Sequence, residues 1–254
     1  MVSFITAYHT KKGYMKEENQ DALMIKTART RDGTVGLFAV CDGMGGLGAG
    51  EVASSIAITN LSDWFAHSLP NLLSVYSFDE IPEHLVGKIE EINKQIIEYG
   101  DSQSSRCGTT LTAMFMMGKQ FYTFQIGDSR AYLIGEEVTQ STKDQSLVAR
   151  ELERGTISPE QVATHPKRHV ILQCLGIQPT IEVSLKGGML SGGEFLLLCT
   201  DGFYHQLTDH EMLSALDGSV DTSGGMKERL LSMTQTVCNR KESDDITSIL
   251  VKPN

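Results

Sequence analysis

Eight short segments of this chain alternate apolar with polar residues or run apolar throughout, each bounded by glycine, aspartate or serine. They predict strands at 21–28, 35–42, 110–117, 120–127, 130–135, 181–187, 194–202 and 246–253. Five longer stretches place apolar residues three and four apart and predict helices over roughly 46–66, 82–99, 146–154, 209–216 and 225–239. Ile89, Ile92, Ile96 and Tyr99 mark one face of the second helix. Leu230, Leu231, Thr234 and Val237 give the last an apolar side, with Met233 less well placed. Residues 117–120 and 128–130 have lengths that suit hairpins. Several strands follow one another with no helix between, so the pattern predicts an α+β fold of antiparallel sheets covered by helices, not a doubly wound parallel sheet.

The 254 residues hold no linker, repeat or low-complexity tract, which favours one domain over 1–254. With 40% hydrophobic and 21% charged residues, the chain can bury a sizeable core and keep a polar surface. No apolar run reaches the roughly 18 residues of a membrane span, and the first dozen residues lack the apolar stretch of a signal peptide; the expectation is a cytoplasmic monomer off the membrane. A net charge of −10 argues against a nucleic-acid surface and is compatible with bound cations. Five cysteines with no C-x-x-C pair suit neither a disulfide framework nor a zinc knuckle.

Four acidic stretches carry the candidate chemistry: ENQD ending at Asp21, CDGMGG around Asp42, CTDG around Asp201 and SDD around Asp244. Three of them adjoin apolar runs that read as buried strands, and carboxylates at strand ends are a way to gather hard oxygen ligands from distant sequence. Residues 43–48, GMGGLG, admit three readings: a dinucleotide fingerprint, a tight strand-to-helix turn, or a metal site formed by Asp42 and the Gly43 carbonyl. The stretch alone does not separate them.

Added to GTT at 108–110, IGDSR at 126–130, CTDGF at 199–203 and DDITSILV at 244–251, it does. In this order and spacing the motifs resemble the metal-dependent type 2C (PPM) serine/threonine protein phosphatases, from about Ala7 to Val251, and the bacterial branch in particular. The resemblance implies a four-layer α-β-β-α sandwich of two antiparallel sheets flanked by helices, and a hydrolase using two Mn²⁺ or Mg²⁺ ions. It implies that Asp42 bridges the ions, Gly43 offers its carbonyl, Asp201 and Asp244 hold one ion, and Asp21 lies close by, holding metal-bound waters. Asp128 with Asp201 corresponds to a third, weaker site. Two ions roughly 4 Å apart would activate a shared water for in-line attack on a phosphoserine or phosphothreonine. Oxygen-only ligands suit Mg²⁺ or Mn²⁺ over zinc.

The chain departs from the family pattern at four places. An arginine that many members carry five residues before the first acidic aspartate is Lys16 here, which keeps the charge for gripping phosphate but loses the bidentate fork. Gln20 stands where relatives often have an acid. His205 stands where they often have an aspartate, and is either a manganese-selective ligand or a surface histidine. Met44 and Leu47 occupy positions where some relatives carry a histidine proposed as general acid, leaving His9, His165 and His169 as imidazoles that folding would have to bring in.

Arg130 is expected to pair with an internal carboxylate, and the segment 147–175, with His165, Lys167 and Arg168, to form a flap beside the active site. Two functions of different class follow: a phosphatase acting on phosphoserine and phosphothreonine proteins and opposing a cognate kinase, or a catalytically weak relative that binds phosphoproteins. The complete carboxylate set favours the first.

Overall fold

The computed structural model describes residues 3–46, 49–162, 164–216 and 220–254. Strands β1 (Phe4–Lys11), β11 (Ile246–Pro253), β10 (Phe195–Cys199), β7 (Arg130–Ile134) and β8 (Val138–Gln140) form one sheet in that order. The second sheet runs β2 (Asp21–Thr30), β3 (Gly33–Gly45), β5 (Leu111–Met117), β6 (Gln120–Ile126) and β9 (Ser184–Met189), with β4 (Cys107–Thr109) paired to the end of β3. Every pairing is antiparallel.

Side-chain alternation builds four layers from these strands. Phe38 and Val40 of β3 face Leu196 and Leu198 of β10 and Ile249 and Val251 of β11, making the core between the sheets. The intervening Leu37, Ala39 and Cys41 face outward onto α1 (Ala49–Asp63) and α3 (Ile81–Ser102). On the other side, Phe195, Leu197 and Cys199 pack against α7 (Asp209–Ala215) and α8 (Ser223–Asn239) through Met212, Met226 and Leu230. Both faces of β3 and β10 are buried, and that is why they read as unbroken apolar runs.

All eight predicted strands form, and each predicted helix has a counterpart. The first helix starts at Ala49 and continues through a π-helical turn, Trp64–Ser68, into α2 (Leu69–Val75); Leu47 and Gly48 lie outside the described residues. Strand β9 begins three residues later than predicted, because Ile181 and Val183 pack on the core without joining the sheet. The short α4 (Leu147–Glu153) matches its prediction, whereas α5 (Pro159–Val162), α6 (Asp201–Tyr204), β1, β4 and β8 were not foreseen. No helix among the described residues is long and apolar enough to cross a membrane.

Candidate active site

Antiparallel order brings the ends of β1, β3, β6 and β10 to the same rim as the starts of β2, β5, β7 and β11. Asp21 opens β2 and lies directly across from Asp42 near the end of β3. Asp201 follows β10 by two residues, Asp244 precedes β11 by two, and Asp128 sits between β6 and β7. Five aspartates from sequence positions more than 200 residues apart thus share one rim of the sandwich.

Backbone contacts fix this rim. Asp42 donates its N–H to Thr110 Oγ1 at 2.9 Å, and its carbonyl accepts from Thr110 N at 2.9 Å and from Thr109 Oγ1 at 3.0 Å. The GTT stretch is therefore a brace for Asp42. Gly43 and Gly45 stay in the strand, paired with Thr109 and Cys107, and neither has positive φ. What Gly43 supplies is space: a Cβ there would stand 2.2 Å from the Gly50 carbonyl oxygen, so α1 can approach the strand only over bare backbone. An antiparallel sheet with these glycines held extended removes the dinucleotide reading.

The carboxylates are crowded and incompletely satisfied. Asp21 Oδ2 accepts from Thr200 Oγ1 at 2.8 Å, while Asp21 Oδ1, Asp128 Oδ1 and Asp201 Oδ1 are buried without a hydrogen-bond partner. Burial, outweighing the hydrogen bonds from Thr247 and Thr200, and the nearby Asp245 and Asp201 push the Asp21 carboxyl up to about 8. Burial and then Asp201 push Asp128 to about 8 as well. Asp42 is raised well above the usual carboxylate range, first by desolvation of its carboxyl and then by Asp21, Asp201, Asp244 and Asp128. Asp201 is raised by burial, with His205 opposing. Among the described residues no group of three or more His, Cys, Asp or Glu side chains is gathered closely enough to hold a metal ion as it stands; mutual repulsion of uncompensated carboxylates opposes closer approach. An oxygen-only donor set with unpartnered buried oxygens fits hard divalent cations.

Two further aspartates are handled differently. Asp245, 3% exposed, accepts from Gly13 N at 2.8 Å and Gln20 N at 2.9 Å, clamping both ends of the loop between β1 and β2 to the rim. Asp144 takes the Arg130 guanidinium on both oxygens, at 2.9 Å from Nε and 2.7 Å from Nη2. The internal partner expected for Arg130 is thus Asp144. The guanidinium also lies 3.7 Å from the Tyr204 ring centre, and the Tyr204 hydroxyl donates to the Asp128 carbonyl at 3.1 Å. Sequence reading missed Asp245, Asp144 and Thr200; only the doubled aspartate of SDD and the threonine of CTDG hinted at two of them.

The residues at which the chain departs from the family pattern occupy definite places. Lys16 Nζ is 2.7 Å from Asp244 Oδ1. Burial works against that ammonium, but its hydrogen bond to Asp244 and the charges of Asp244, Asp245 and Asp42 win and raise its pKa. Gln20 Nε2 donates to the Gly45 carbonyl at 3.3 Å. His205 Nδ1 is 3.7 Å from Asp201 Oδ2, and burial lowers the pKa of its imidazole. His169, whose ring centre is 6.1 Å from that of His205, is brought toward the rim. His9 instead lies on β1 near Lys11 and Lys227, and His165 lies 3.5 Å from Glu151. Isolated bridges from Ser146 to Ile171 and from Thr109 to Leu175 fasten the 147–175 segment beside the Asp42 brace, with Lys167 and Arg168 exposed.

Comparison with known proteins agrees with this architecture. The family model described as Protein phosphatase 2C matches residues 8–237. The serine/threonine phosphatase stp of Listeria innocua is 32% identical over 255 residues, covering 97% of this chain and 95% of that one. The protein phosphatase PhpP of Streptococcus pneumoniae is 29% identical over 250 residues and covers 96% of each. Among solved structures, the serine/threonine phosphatase Stp1 of Staphylococcus aureus superposes with a TM-score of 0.87 at 28% identity, covering 97% of this chain and 94% of that one. The catalytic domain of the serine threonine protein phosphatase PstP in complex with two manganese ions does so at 0.80 and 27%, covering 100% and 99%. The chain therefore belongs to the protein phosphatase 2C family, among its bacterial serine/threonine phosphatases.

Proposed function

We propose that the aspartate rim hydrolyses phosphoserine and phosphothreonine in proteins, using two Mn²⁺ or Mg²⁺ ions and a third, weaker one. The observation that carries this reading is the set of buried carboxylate oxygens on Asp21, Asp128 and Asp201 with no hydrogen-bond partner, a costly arrangement in a fold that gains nothing from it otherwise. The PstP structure named above holds two manganese ions, which supports the same assignment by likeness. Asp42, Asp201, Asp244 and the Gly43 carbonyl are the groups that would hold the pair, with Asp21 beside them and Asp128 with Asp201 at the third position. When bound, such ions supply a water of lowered pKa as nucleophile and offset charge on the phosphoryl oxygens.

The chain's own contributions are positional. Thr109 and Thr110 hold the Asp42 backbone, Thr200 orients Asp21, and Asp245 fixes the loop that carries Lys16. Lys16, paired with Asp244 in the structure, is a rim cation that would anchor substrate phosphate. Substrates are the phosphoproteins of a serine/threonine kinase. A module that only binds phosphoproteins has no physical need for so many crowded carboxylates. Hydrolysis of p-nitrophenyl phosphate and of a phosphothreonine peptide should require added Mn²⁺ or Mg²⁺ and vanish with chelator; metal-independent turnover, or none with either ion, defeats the proposal.

A further inference from the structure

We infer that Lys16 is an internal placeholder cation: it occupies Asp244 while no divalent ion is bound and must release that carboxylate before an ion takes it, so that metal loading frees the ammonium for substrate phosphate. The inference rests on the reading above that Asp244 is a metal ligand.

Three observations lead there. The Lys16–Asp244 pair is short, 2.7 Å, and both side chains are about one-third exposed, at 35% and 34%, so the ammonium is reachable by solvent and able to leave. The loop bearing Lys16 is anchored independently of that pair: Asp245 accepts from Gly13 N and Gln20 N, and Lys16 N donates to the Gly13 carbonyl at 3.2 Å. The backbone therefore stays at the rim when the side chain swings away. Asp244 Oδ1 already accepts from Asp245 N at 2.8 Å as well. An ion and an ammonium on that same oxygen would repel each other.

The residue type matters for the exchange. A lysine holds its partner through one point charge on a flexible stem, whereas an arginine would grip both oxygens through a planar fork and resist displacement. Lysine at position 16 thus makes one side chain serve two anions in sequence, first Asp244 and then phosphate, and it orders the events with metal first.

The test measures Mn²⁺ affinity without substrate, from the electron paramagnetic resonance of free Mn²⁺, for wild type, Lys16→Met and Lys16→Arg. Lys16→Met should bind Mn²⁺ about fivefold more tightly, the scale set by a part-exposed ion pair, and Lys16→Arg no more tightly than wild type. In the unaltered protein, the Lys16 ammonium resonance followed by NMR should move when Mg²⁺ is added to saturation. Unchanged or weaker Mn²⁺ binding by Lys16→Met, or an ammonium resonance that stays put under saturating Mg²⁺, overturns the inference while leaving the metal site standing. Absence of Mn²⁺ binding in wild type overturns both.

Discussion

Asp144 and Asp201 are both largely buried aspartates near the same rim, yet the fold treats them in opposite ways. Around Asp144 every charge is answered: Arg130 spans both oxygens, Gln140 Nε2 adds a bond at 2.8 Å, and the guanidinium rests on Tyr204. Around Asp201, Asp21 and Asp128, buried oxygens are left without partners and like charges are pressed together. A satisfied carboxylate holds structure, and an unsatisfied one keeps capacity for something that arrives later. The difference supports the assignment of Asp21, Asp128 and Asp201, and not Asp144, to the proposed metal centre.

The contrast makes graded predictions. Removing one partner from the answered pair should be the most damaging to the fold: Arg130→Ala leaves Asp144 charged and buried and should lower unfolding free energy by about 3–5 kcal/mol in urea titration. An unmoved midpoint would erase the distinction from the structural side. Asp42→Ala should do the reverse, leaving the melting temperature of the metal-free protein equal or higher, because a repelling carboxylate has gone. Its metal-dependent turnover should fall at least about 10²-fold, beyond the 10- to 100-fold typical of groups that merely orient metal ligands.

Asp245→Ala unpairs two backbone N–H groups and should cost about 1–3 kcal/mol; because those groups fix the Lys16 loop, KM should rise more than kcat falls. The metal-free protein should also show a slope of stability with pH. Asp21 and Asp128 have folded pKa values near 8, above the ordinary carboxylate value, so the folded metal-free state holds more protons than the unfolded one between about pH 4 and 8. Stability in chelator is then greatest at the acid end of that window and declines toward pH 8. Added Mn²⁺ should raise the melting temperature more at pH 8 than at pH 5.5, where protons compete; a larger rise at pH 5.5 would contradict the assignment.

Much of this was legible in the sequence for a definite reason. Strands buried on both faces, such as β3 and β10, announce themselves as apolar runs, and the aspartates of the rim stand where those runs stop. Strand β1 went unread because FITAYHTK buries only Ala7 fully and otherwise carries half-exposed threonines, a histidine and a lysine. Strands β4 and β8 are three residues each, too short for any period to emerge. Within the site, the ligand-type residues were visible as motifs, whereas Asp245 acts through Gly13 and Gln20 at the other end of the chain and Asp144 through Arg130 and Gln140 across a strand pair, and no spacing rule reveals such pairings. For the glycine stretch, which the accompanying motifs had already drawn away from a dinucleotide fingerprint, the structure adds Gly43 pressed against Gly50 in an extended strand.

Strand β11 lies between β1 and β10, so the first sheet cannot be completed in the order the chain is made. During translation β1 waits, unzipped, for a segment that leaves the ribosome some 240 residues later, and Asp244 and Asp245 arrive with it. Half-made chains consequently lack both aspartates at the rim and, on the function proposed above, a complete centre.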